Sequence, residues 1–566
     1  MENNTWKFGS LPYERPDLTA LKKQAKAMLK AIENAPTYEA QKAAYKMLDK
    51  LMSEFESAAT IAHIRYDMNT KDPFYEAEKK FWDKSMPSLI PLEKKMMETL
   101  IGMRFRKDFE KEFGDICFKK AEAQIRLADK RLMLSMVKES QLETKYAKLA
   151  AGCSVEFQGE KCNFYGLLKH MESPDREIRK AALKEWAKLY EGIAPQLDEI
   201  YDGLVSLREK MAKKIGMKGY LEMAYLNRGR FDYNADDVER FRKGVRDYVV
   251  PAVAKLYEQQ RERIGVDKLH YYDESFFYPD GNPNPIGTKD EMVQWANEMY
   301  HELSPETGEF FDFMTEHELF DLLTRDGKHM GGYCTNMLKY KAPFIFSNFN
   351  GTSADVDVLT HEAGHAFQAF LAMRLLPFSN QMQAPIEICE VHSMSMEHFT
   401  YPWMEKFFGE GANKYRYAHL QSALRTIPYL VSVDEFQHRV FEKPNMTHQE
   451  RYATWKKIEQ TYLPWRDYDG NEFLDKGGFW MQKQHIFLYP FYYIDYALAQ
   501  MGAFDFYLKM CDNQAQAWTD YLNLCKAGGS LGYFDLLKVG NLNNPFDENT
   551  VKNMVEAVMK KIEEQA

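Results

Sequence analysis

His361-Glu362-Ala363-Gly364-His365 sets two imidazoles four residues apart, and only an α-helix turns that spacing into a shared surface. Four helical steps rotate about 40° around the axis, so both rings leave the same face. Two imidazoles with one carboxylate make three donors for a four-coordinate Zn²⁺, and the fourth position stays open for water. A fold built on this motif must bring a carboxylate from elsewhere in the chain against the middle of a helix. Glu362, beside the first imidazole, is the residue type that takes a proton from water at such sites.

A five-residue match of this kind arises by chance in roughly a few of every hundred chains of this length and composition, so its surroundings carry the weight. The segment Thr352 to Leu359 offers N-cap candidates and acidic first-turn residues just before the motif. Ala363, Ala366, Phe367, Phe370, Leu371 and Leu375 then recur at helical spacing, which predicts a helix with the motif at its middle. Pro385 is suited to open a second helix that Ile386 to Phe399 continue. Glu387, Glu390 and Glu397 lie near one face of it, with His392 and His398 close by, and spacing alone does not choose a third ligand among them.

Upstream, Phe344 to Phe349 is aromatic and β-branched and ends at Asn350-Gly351, which predicts a short strand and a turn into the motif helix. Such a strand either holds a peptide by main-chain hydrogen bonds or forms a small structural sheet, and both readings stand. Downstream, His485 to Tyr496 gathers one His and four Tyr. A helix opened by Pro490 would line up Tyr489, Tyr493 and Tyr496 on one side. Those hydroxyls and the His485 imidazole are suitable donors for an oxyanion, while an aromatic core stripe is the commoner fate of such a pattern.

The 566 residues exceed what one core organises, so two or three packed sub-domains are expected, with 1–200 as a helical N-terminal region and 201–566 as the part carrying the motifs. From Asp17 to about Lys210, Ala, Leu, Lys, Glu and Met recur at three-to-four spacing, which predicts mostly helix. Cys153 to Glu160 alternates enough to predict a strand and turn, helices resume near Pro174, and Tyr278 to Pro285 is a loop. A net charge of −10 argues against a nucleic-acid partner, and no apolar run is long enough for a membrane span. The first residues carry no basic and apolar leader, and seven scattered cysteines fit reduced thiols, so a cytoplasmic protein is expected. Oligomeric state is not legible.

Phe346 to Thr352, His361 to His365 and Cys389 to Glu397 together resemble the thimet oligopeptidase and oligoendopeptidase F family of zinc metallopeptidases. Pro490 to Ala497, Gly528-Gly529-Ser530 and Pro545-Phe546 extend the likeness, which covers roughly residues 325–546. The resemblance implies a mainly α, neurolysin-like zincin: two largely helical halves around a deep substrate channel, with a small β-sheet near the metal helix. It implies Zn²⁺, one per chain, on His361, His365 and Glu390, which removes Glu387 and Glu397 as ligands. Glu397 then resembles a carboxylate that orients a ligand, a part for which Asp357 is the other candidate. Glu362 becomes the general base, and His485, Tyr493 and Tyr496 the transition-state donors, with Tyr489 and Tyr492 in reserve. The implied activity is endoproteolysis of short unstructured peptides. A carboxypeptidase or dipeptidyl carboxypeptidase on a similar scaffold is one alternative, and a zinc-bearing peptide binder without turnover is another. Gly528 to Gly532 lacks the Gly-Lys-Ser/Thr ending of a phosphate loop and reads as a turn or substrate-side loop.

Overall fold

The structure is a computed structural model that describes residues 6–565. Helices dominate it, and the strands are few and short. In chain order the elements used below are α1 (Leu18–Glu33), α2 (Tyr38–Met68), β1 (Val155–Phe157), β2 (Glu160–Cys162), α3 (Phe164–His170) and α4 (Arg176–Lys214). They are followed by β3 (Phe320–Leu323), β4 (Tyr333–Met337), β5 (Ala342–Phe349), α5 (Ala354–Leu375), α6 (Ile386–Phe399) and α7 (Tyr493–Ala527). The last is broken at Asn513, where φ is −153°.

The chain groups into two compact units, each assembled from three stretches: residues 1–125, 284–412 and 502–543 in the first, and 126–283, 413–501 and 544–566 in the second. In the first unit, the Asp17 carboxylate accepts hydrogen bonds from the Thr19 and Ala20 amides and starts α1. Leu21, Ala25, Leu29 and Ile32 then fall on one face and are buried. They join Phe55, Trp82, Phe109 and Phe118 in an apolar cluster to which α2 contributes its own buried face.

The sheet of this unit has the order β3-β5-β4, with β3 parallel and β4 antiparallel to β5. Ile345 stands opposite both Phe320 and Cys334, so the strand read at 344–349 is the central one. Both its edges are taken, and a peptide cannot add to it; β4 is an edge strand beside it. The register between β3 and β5 slips after Asp321. The buried Lys328 ammonium closes that gap, donating to the carbonyls of Asp321 (3.0 Å), Leu323 (2.9 Å) and Ser347.

In the second unit β1 and β2 form a hairpin, with Val155 opposite Cys162 and a turn at Gln158-Gly159 whose φ values are 51° and 80°. The strand and turn expected over 153–160 is thus a complete two-stranded element. Asp175 caps α4 through the Glu177 amide, and Arg179 near its start is buried against Asp273, with Nη2 2.8 Å from Oδ1. The segment 278–285 is irregular, as its Pro and Gly content requires.

Candidate metal centre

The approach to the motif is set by one carboxylate. Asp355 accepts from the amides of Asn350 (2.9 Å) and Gly351 (2.7 Å), tying the turn to the first residues of α5. Gly351 has φ +88°, the left-handed region that favours glycine. Ser353 stands at the N-cap of α5 but makes no side-chain cap there. Helix α6 begins at Ile386 with Pro385 as its N-cap, one residue later than the sequence reading places it.

Helices α5 and α6 cross at Gly364. A Cβ there would sit 2.7 Å from Ser393 Cα, 2.8 Å from the His392 carbonyl and 3.0 Å from Met396 Cβ. The missing side chain lets the two backbones touch, and that contact carries Glu390 to the imidazoles. His361 Nε2 and His365 Nε2 lie 3.4 and 3.5 Å from Glu390 Oε2. Tetrahedral Zn²⁺ bonds of about 2.0–2.1 Å place neighbouring donors roughly 3.4 Å apart, so this donor set fits a single cation. Glu387 is buried yet stands outside the converging set, as does Glu397.

Glu397 Oε1 accepts from His361 Nδ1 at 2.5 Å. That bond holds a proton on Nδ1, so the nitrogen offered to a metal is Nε2, which faces Glu390. Asp357 lies one turn before His361 on α5. Ser393 Oγ donates to Glu390 Oε2 at 3.1 Å and steadies the carboxylate. Burial works against a charged His361, but the carboxylates of Glu390 and Glu397 outweigh it and hold its pKa well above the usual value. Burial likewise works against a charged Glu390, and the two imidazoles hold its carboxyl well below the usual range. Protons and a metal ion therefore compete for the same donors. Replacing Glu397 by Gln is expected to lower Zn²⁺ affinity about 10–100-fold, read by titration against a chromogenic chelator. Unchanged affinity would leave the His361–Glu397 bond without a part in metal binding.

Glu362 lies on α5, which packs against β4. Its charge adds to burial in pushing the Cys334 thiol well above its ordinary value.

His485, Tyr493 and Tyr496 belong to the second unit and there form one cluster. The His485 ring is 4.6 Å from Tyr493 and stacks on Tyr492 at 5.8 Å, while Tyr492 and Tyr493 lie 4.9 and 5.9 Å from Tyr496. Pro490 does not open the helix: α7 starts at Tyr493, and Tyr489 stays outside it, 51% exposed. The reason is a tight turn in which Phe491 takes φ +61°. Its amide donates to Gln437 Oε1 (2.9 Å), and Arg230 Nη2 donates to its carbonyl (2.5 Å). The alignment of Tyr489 with Tyr493 and Tyr496 is thereby lost.

Lys483 escaped the sequence reading. Its ammonium lies over the rings of Tyr493 (4.9 Å) and Tyr429 (5.5 Å), and burial pulls its pKa down to about 8. Nothing in the local sequence distinguishes it from a solvated lysine. Burial, with the charges of Lys483 and Arg228, lowers His485 to about 3. Below about pH 6.5 the unfolded chain takes up a proton on this imidazole that the folded chain refuses, so stability falls as pH drops toward 4. His485→Gln is expected to flatten that part of the Tm–pH profile. A variant profile parallel to the wild type would contradict it.

Fold and donor set together define a mainly helical HExxH metallopeptidase. The profile of peptidase family M3 matches residues 169–556, and that of the peptidase M3 N-terminal domain matches residues 8–128. The chain belongs to peptidase family M3, and it is a metallo-oligoendopeptidase. Peptidases of this family are in general zinc-dependent. A solved structure of PZ peptidase A with an inhibitor is 44% identical and superposes with a TM-score of 0.91, covering 99% of this chain and 100% of that one. Oligopeptidase PepF of Bacillus subtilis is 21% identical over 99% of this chain and 86% of its own length. Oligoendopeptidase-F from Enterococcus faecium, at 15% identity and a TM-score of 0.60 over 97% of this chain and 98% of that one, shares the fold. All seven cysteines are free thiols, and no helix among the described residues is long and apolar enough to cross a membrane.

Proposed function

We propose that the chain hydrolyses internal bonds of short unstructured peptides, using one Zn²⁺ held by His361 Nε2, His365 Nε2 and Glu390 Oε2. The observation that carries this reading is the pair of 3.4 and 3.5 Å separations between the imidazole nitrogens and one carboxylate oxygen. When bound, the ion supplies a Lewis acid that polarises the scissile carbonyl and makes water a competent nucleophile near neutral pH. Glu362 accepts the proton of the attacking water and delivers it to the leaving amine. Glu397 keeps His361 in the ligating tautomer. His485, Tyr493 and Tyr496 donate to the developing oxyanion, with Tyr492 and Tyr489 as reserves. The family favours neither a carboxypeptidase nor a non-catalytic peptide binder.

The test is a mixture of peptides of graded length, blocked at both ends, incubated with and without o-phenanthroline and read by mass. Internal cleavage that stops with the chelator and returns with Zn²⁺ is expected, and a folded globular protein should stay intact. Cleavage only next to a free terminus, or cleavage that survives the chelator, would refute the proposal.

A further inference from the structure

Another group of donors lies on the hairpin and helix of the second unit, and it shares no residue with the set on α5 and α6. Glu160 and Cys162 come from β2, and His170 comes from the last residue of α3. One ligand atom from each lies within 4.8 Å of the other two. The local sequence explains the convergence. The Gln158-Gly159 turn sends β2 back along β1, and Asn163 caps α3 directly after Cys162, accepting from the Gly166 amide at 2.9 Å. Gly166 and His170 are four apart on α3 and so occupy the same face. That face meets the cysteine: a Cβ at residue 166 would lie 3.2 Å from Cys162 Cβ and 3.4 Å from its Sγ. Phe157 of β1 packs edge-on against the His170 ring at 5.0 Å and holds it over the hairpin.

We propose that Cys162 Sγ, an imidazole nitrogen of His170 and a carboxylate oxygen of Glu160 bind a borderline divalent cation, Zn²⁺ foremost, that fastens β2 to α3. Thiolate, imidazole and carboxylate are the three donor types Zn²⁺ takes, and the sulfur selects against Mg²⁺ and Ca²⁺. Cys162 is 4% exposed while Glu160 is exposed, so the sulfur forms the floor of the site and the carboxylate its solvent side. The exposed Glu160 carboxylate is the donor with freedom to rotate toward the other two. The fourth position falls to water.

Cobalt separates this site from the one on α5 and α6, because only a thiolate gives a sulfur-to-cobalt charge-transfer band in the near ultraviolet. Metal-free full-length protein is titrated with Co²⁺. The band is expected in the wild type and in Glu390→Gln, absent in Cys162→Ser, strongly reduced in His170→Ala, and removed by added Zn²⁺. Cys162→Ser should keep its peptidase activity with Zn²⁺, which shows that it folds. His170→Ala retains all seven thiols and decides the matter alone should the serine variant not fold. No band in the wild type, or a band of full strength in either hairpin variant, overturns the proposal.

Discussion

Glu362→Gln is expected to retain its metal and lose at least about 10²-fold in turnover. The substitution leaves His361, His365 and Glu390 untouched, and the amide fills the same volume as the carboxylate. What disappears is the capacity to take a proton from water and return it to the leaving amine, neither of which an amide does. The comparison is kcat on a blocked peptide for metal-replete protein, with metal content measured on the same samples. A kcat near the wild-type value would take the base role away from Glu362, whatever the metal content.

Gly364→Ala carries the second large effect, against the usual helix preference. Alanine in a helix interior is worth about 1 kcal/mol over glycine, so propensity alone forecasts a gain. The crossing with α6 reverses it. Two of the atoms that the new methyl meets, Ser393 Cα and the His392 carbonyl oxygen, belong to the backbone and cannot rotate away. The helices must separate, and Glu390 recedes from His361 and His365. A misplacement of about 1 Å at a reacting centre can remove 10²-fold in rate. Helix content by circular dichroism should persist while Zn²⁺ affinity and kcat fall together. A fully active alanine variant would mean that the crossing has slack.

The motif residues were legible because their spacing is local. Four-residue spacing on an apolar helix fixes His361, Glu362 and His365 on one element before any tertiary contact is known. The strand at 344–349 and the helix after Pro385 were legible for the same reason, since their periods are short-range. The choice of Glu390 over Glu387 and Glu397 was not a matter of spacing, because all three share a helix face. It followed from a family likeness, and in space Glu390 is the one that the crossing of α6 with α5 brings beside both imidazoles. The helix start at Pro490 was misplaced for a different reason: Pro490 is a good helix opener by preference, yet the clamp from Gln437 and Arg230 on Phe491 defers the helix to Tyr493. Those partners lie about 54 and 261 positions away, beyond the reach of any local pattern. The interleaving of six stretches into two units is nearly as silent: the crossing after Pro283 falls in the Pro- and Gly-rich loop read at 278–285, but nothing in that loop tells that the chain changes unit there.

Helix α6 and the segment that leads into it lean on residues made long after them. Tyr521 Oη donates to the His392 carbonyl at 2.8 Å, the Gly529 amide donates to the Gln381 carbonyl at 2.7 Å, and Gly502 leaves room for Val391. The position of Glu390 beside the two imidazoles therefore rests on contacts that the HExxH helix and α6 do not make by themselves. Its last braces emerge more than a hundred codons later. On the proposed Zn²⁺ site, a chain ending before Gly502 would lack these braces and is expected to hold the ion less tightly than the full-length protein.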